Sequence, residues 1–102
     1  MSEAIIRSYE RTDLPLPQRL ASLARRFQCL KDASGISPFD TGALFQWTES
    51  QPVESAAHQT GLLILNLADP HFPHPFNVLV ATRFWQIEDR QMFINFLRIW
   101  QF

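Results

Sequence analysis

Asp69, His71 and His74 are the side chains in this sequence best suited to chemistry at close quarters. A carboxylate and two imidazoles within six residues offer three oxygen and nitrogen donors of the kind zinc or iron takes, with one position left for water. They lie in Asp69-Pro70-His71-Phe72-Pro73-His74-Pro75, where three prolines forbid regular helix. Histidines at i and i+3 usually converge on a metal from one helix face, so this loop is a weak metal signature. His58 is the remaining histidine that could approach it. The plainer reading is a rigid surface loop whose histidines stack on Phe72 or cap a helix.

Other chemistry finds less support. Cys29 has no histidine partner nearby in sequence, and there is no Gly-x-Ser-x-Gly elbow for nucleophilic catalysis. Gly35, Gly42 and Gly61 are too scattered for a phosphate-cradling loop. Glu88 and Asp89 form a carboxylate pair, but neighbours on a helix point about 100° apart. A place in the first turn of a helix accounts for both. The expectation is a non-enzymatic chain without a cofactor.

Gln18 to Ile36 superficially resembles the helix-turn-helix of bacterial regulators through Leu20-Ala21-Ser22-Leu23-Ala24-Arg25-Arg26-Phe27. That motif needs a tight turn, often at glycine, and then a polar recognition helix. Gln28 stands where the glycine belongs, and the next helical stretch is the apolar Gly42-Ala43-Leu44-Phe45. The basic residues between 19 and 31 make only a small cationic face, and phosphate binding needs a continuous one. Nucleic acid is therefore the weakest of the partner readings, and a core helix with a charged back is the simpler account.

The elements that must position these residues are legible from caps and periodicity. Pro38-Phe39-Asp40 and Pro75-Phe76-Asn77 are two copies of one helix-start signal. Asp or Asn accepts a hydrogen bond from an orphan N–H of the first turn, and the preceding Phe acts as a staple on Leu44 or Ala81. They predict short helices over about 41–47 and 78–85. Leu20, Leu23, Phe27 and Leu30 recur at helical spacing after Pro17 and predict one helix across that span. Val53, Ala56, Ala57, Thr60, Leu63, Ile64 and Leu67 predict a helix from Pro52 to about Ala68. Gly61 weakens it by roughly 1 kcal/mol. A last helix starts near Glu88 and carries Phe93, Ile94, Phe96, Leu97 and Trp100. Each half thus reads as a short helix followed by a longer one, with convergence on a capping pattern a simpler account than duplication.

The fold expected is all-α: a small single-domain bundle of four to five helices, two of them short, around the aromatic-rich C-terminal helix. The alternative is α+β with short strands near 62–67 and 77–81. Residues 1–13 read as an N-terminal arm and residues 14–102 as a single helical domain. Phe27, Phe45, Trp47, Phe84, Trp85, Phe93, Phe96 and Trp100 are the expected aromatic core.

Composition bounds the partners. The 102 residues are 46% apolar and 13% aromatic, which argues against disorder and suits one small core. The net charge of −1 sets up no long-range field toward nucleic acid or acidic ligands. Charge is nonetheless segregated: residues 1–31 carry +3, residues 32–69 carry −5 with no Lys or Arg, and residues 70–102 carry +1. The basic segment is expected against the acidic middle, within one subunit or between two, unless the asymmetry is a chance property of a solvated surface. A single cysteine excludes an internal disulfide and reads as a buried structural thiol. No apolar run reaches membrane-spanning length, and Met1-Ser2-Glu3 does not begin a secretory signal. The chain reads as cytoplasmic, and its Arg-over-Lys skew points to a bacterial source.

Apolar residues on nearly every side of the last helix must be covered on every side, by the chain's own helices or by a partner. The function expected is a small interaction module, regulatory or accessory, that binds another protein or itself. Phe96, Trp100 and Phe102 are the expected anchors, with Arg19, Arg25 and Arg26 as an electrostatic rim. A metal-dependent enzyme at Asp69, His71 and His74 is the second reading, and a nucleic-acid-binding regulator using the first helix the third.

Overall fold

Local capping starts three of the five helices. The structure, a computed structural model, describes residues 13–100; Phe102 and nearly all of the expected arm lie outside the described residues. Within them, α1 (Leu16–Ala24), α2 (Thr41–Glu49), α3 (Ala56–Ala68), α4 (Val78–Phe84) and α5 (Ile87–Ile99) form an all-helical bundle, with a 3₁₀ turn at Gln28–Leu30 and no strand. Asp40 accepts from the N–H groups of Gly42 and Ala43, Asn77 from those of Leu79 and Val80, and Ser55 from that of His58. α3 begins at Ala56 rather than Pro52, because the Ser55 hydroxyl both donates to the Pro52 carbonyl and caps the helix. It runs unbroken through Gly61, so Leu62–Leu67 is helix and not strand.

The first helix is shorter than its apolar spacing predicts. α1 stops at Ala24, and Phe27 adopts extended backbone before the 3₁₀ turn. The cause lies far along the chain. The Asp89 carboxylate, at the start of α5, accepts from the N–H groups of Gln28 (2.7 Å) and Cys29 (3.1 Å). These bonds satisfy the turn from outside, and charge-assisted bonds of this kind are about twice as strong as neutral ones.

The helix at the centre is α3. α1, α2, α4 and the 3₁₀ turn all pack against it, whereas α5 reaches the 3₁₀ turn and closes one side. Eight consecutive α3 residues, His58 to Leu65, are buried, and the helix carries no charged side chain. Coverage all round thus falls on α3, while the exposed Glu88, Arg90 and Arg98 keep one side of α5 at the surface. The basic N-terminal segment does meet the middle of the chain through α1 and α3, but this contact is apolar.

α2 and α3 cross closely at Gly61, where a β-carbon would run into the Thr48 side chain. Gly35 has φ +81°, and the carbonyl it contributes accepts from the Asp40 N–H (2.8 Å), which sets up the entry to α2. Aromatic rings fill the side between α1 and α5. Phe27, Trp85, Phe93, Phe96 and Trp100 follow one another with centroids 5.0 to 6.0 Å apart. Phe76 joins them through Trp85 and Phe93. Phe84, expected in the core, is exposed on α4.

Candidate interaction face

The residues picked out for metal chemistry do not converge. Asp69 caps its own turn by accepting from the His71 N–H (2.9 Å). The His74 ring stacks on Phe45 (5.6 Å, interplanar 18°), and Phe72 meets both rings edge-on. Asn66 holds the loop from α3 by donating to the Leu62 and His74 carbonyls. His58 is buried elsewhere, its Nδ1 donating to the Thr48 carbonyl (2.9 Å). Among the described residues no three His, Cys, Asp or Glu side chains are grouped to hold a metal ion.

The Cys29 environment argues for an inert thiol. Its Sγ–H donates to the Thr60 hydroxyl (3.2 Å), which also accepts from the Trp85 indole N–H (2.7 Å) and donates to the Ala56 carbonyl (2.7 Å). Burial, reinforced by the Asp89 charge, pushes the thiol up to about 12, so the nucleophilic thiolate is absent near neutrality.

The arginines are dispersed. Arg19 lies over the Trp100 ring, 4.3 Å from its centroid. Arg25 donates to the Ser37 hydroxyl (3.1 Å) beside a cleft of about 530 Å³ between α1 and the Ile36–Phe39 loop. Of these three, Arg26 adjoins α5, in a shallow groove with Ile87, Glu88, Gln91, Met92 and Asn95. The next helix after α1 is reached only through residues 25–40, so no helix-turn-helix forms.

Two of the expected anchors turn out to be core. Phe96 is 1% exposed and Trp100 8%, and they stack at 5.5 Å. Their burial leaves no ring surface for a partner. The opposite side of α5 is the uncovered one: Ile87 is 74% exposed, Ile94 48% and Leu97 50%. At about 100° per residue these three fall within an 80° sector facing away from Asp89, Phe96 and Trp100. Helical phase could have found this stripe in the sequence, but only the fold says which of the two apolar stripes faces inward.

No family model, characterised protein or solved structure matches this chain. No helix among the described residues is long and apolar enough to cross a membrane.

Proposed function

We propose that this protein is a small non-enzymatic interaction module, a regulatory or accessory protein of the bacterial cytoplasm that works by binding a protein partner. The observation that carries the reading is the second apolar stripe of α5. Ile87, Ile94 and Leu97 stand in solvent while the other side of the same helix is packed into the core. A helix needs one apolar face to join its own domain, and a further face is usable for a partner. The exposed Arg90 falls within the same sector, and Arg26 and Glu88 line the groove beside Ile87; these supply charges for orientation rather than for affinity.

A photo-reactive benzophenone side chain placed at position 94, and separately at the exposed position 54, tests this in living cells. A discrete protein adduct from position 94 and none from position 54 is expected. Absence of any adduct from position 94 would overturn the proposal.

A further inference from the structure

Two adjoining clefts beside α1 share no lining residue with the groove on α5, so what they bind is independent of the partner face. We propose that they form one site for a small phosphate monoester. Its phosphoryl group sits among Arg25, Lys31 and the loop 34–37, and its apolar body lies against Pro17, Ala21 and Phe39. The first cleft, about 530 Å³, is walled mostly by apolar side chains of α1 and the loop after Ile36. The second, about 470 Å³, shares Arg25, Ile36 and Ser37 with it and adds Lys31, Ser34 and Gly35. Spaces of this size suit a small organic molecule, and an apolar wall with a few placed polar groups is the usual make-up of such a site.

The polar groups of the site are donors, and they set the charge of the ligand. No acidic side chain among the described residues lines either cleft. Asp40, further along the loop, has its carboxylate on the N–H groups of Gly42 and Ala43. Arg25 donates once to the Ser37 hydroxyl (3.1 Å), which steadies the guanidinium and leaves the rest of its planar fork to grip a phosphate. The Lys31 ammonium is exposed and has no partner among the described residues. The loop adds main-chain donors. Among the described residues, the N–H groups of Ser34, Gly35, Ile36 and Ser37 donate to no acceptor. Successive N–H groups in a turn make an anion-binding concavity, and Gly35 at φ +81° is the left-handed residue that such a turn uses. Two cations, a free hydroxyl and this run of N–H groups exceed what the two oxygens of a carboxylate can take. The three terminal oxygens and greater charge of a phosphate monoester match them. The first cleft, with its apolar wall next to Arg25, then takes the organic part.

Titration of the isotope-labelled intact chain with phenyl phosphate, followed through its backbone amide NMR signals, tests the proposal. The signals of Ser34, Gly35, Ile36 and Ser37 should move together, with a dissociation constant of about 0.1–1 mM, as suits a site open to water. Arg25→Gln should weaken binding about tenfold and Lys31→Gln about threefold. Both side chains are exposed, so each variant should keep the folded spectrum. Arg83→Gln removes the same charge from α4 and should leave the constant unchanged. Inorganic phosphate should move the same signals with severalfold weaker affinity, and phenol should move none of them at the same concentrations. Signals that stay put in phenyl phosphate at about 10 mM, well past the expected constant, overturn the proposal. So does an Arg83→Gln loss equal to that of Arg25→Gln, the mark of diffuse attraction to any cation. Phenol binding as tightly as phenyl phosphate overturns it too, because the clefts would then take apolar matter without reading its charge.

Discussion

Cys29, Thr60 and Asp89 show how single residues carry the joint between the 3₁₀ turn, α3 and α5. The Thr60 hydroxyl uses its donor and two acceptor sites on Ala56, Cys29 and Trp85. Asp89, 2% exposed, spends both oxygens on the 3₁₀ turn. Asp89→Ala strands two partly buried N–H groups and should cost about 2–4 kcal/mol. Asp89→Asn keeps one acceptor and should cost less. Urea unfolding of the two variants measures the difference. The thiol gives a pH prediction. Its folded value, about 12, lies above its ordinary 9.0, so the folded state holds a proton that the unfolded chain has released between those values. Its contribution is complete below about pH 9 and is lost as pH climbs toward 12. Stability of the wild type should fall more steeply over that interval than stability of Cys29→Ala. A maleimide reagent at pH 7 should label the folded protein far more slowly than the unfolded one. The carboxylate pair Glu88-Asp89 was legible in the sequence as a helix start. That Asp89 reaches Gln28 was not, because the two are 61 residues apart.

At the scale of elements, caps were the reliable signal and helix ends the unreliable one. Asp40 and Asn77 sit where the repeated Pro-Phe-Asp/Asn motif puts them, since a cap acts on its own first turn. The periodicity of Leu20, Leu23, Phe27 and Leu30 spans a break it cannot reveal. A 3₁₀ turn entered from an extended residue can aim the same apolar side chains into the same core. Gly61 is more than a weak spot in a helix: it is the point where α2 comes close to α3. Gly61→Ala gains about 1 kcal/mol of helix propensity. It also drives a methyl into the fully buried, β-branched Thr48, an overpacking that costs about 1–3 kcal/mol. Net destabilisation is expected. Adding Thr48→Ala should restore much of the loss, because that hydroxyl has no hydrogen-bond partner among the described residues and its removal opens the space. A thermal unfolding series of the two single variants and the double variant reads the coupling directly.

For the whole molecule, the division of α5 into an inner and an outer face separates what folds the chain from what the chain presents. Phe96→Ala should cost about 3–5 kcal/mol, as a fully buried ring does. Ile94→Gln and Leu97→Gln should change stability by about 0.5 kcal/mol or less. Chemical denaturation of the three, measured at protein concentrations low enough to exclude association, tests the division. Equal losses at all three positions would mean that the outer stripe is already covered within the chain. The reversed pattern expected of Phe96 and Trp100 follows from their size. Large rings are the residues a small core most needs, so those that look like spare anchors are drawn inward first.

The sequence by itself determined the fold class, the caps at Asp40 and Asn77, the unbroken run of α3 and the presence of two apolar sides on α5. All of these depend on interactions within a few turns of one segment, and local spacing records them. Only the tertiary structure decided that α3 rather than α5 is central, that α1 ends at Ala24, that His74 stacks on Phe45 and that Ile87, Ile94 and Leu97 are the side left in water. Each of these turns on which surfaces compete for the same limited interior. That competition is settled between segments tens of residues apart, where a periodic pattern says that a face is apolar but not which neighbour will cover it.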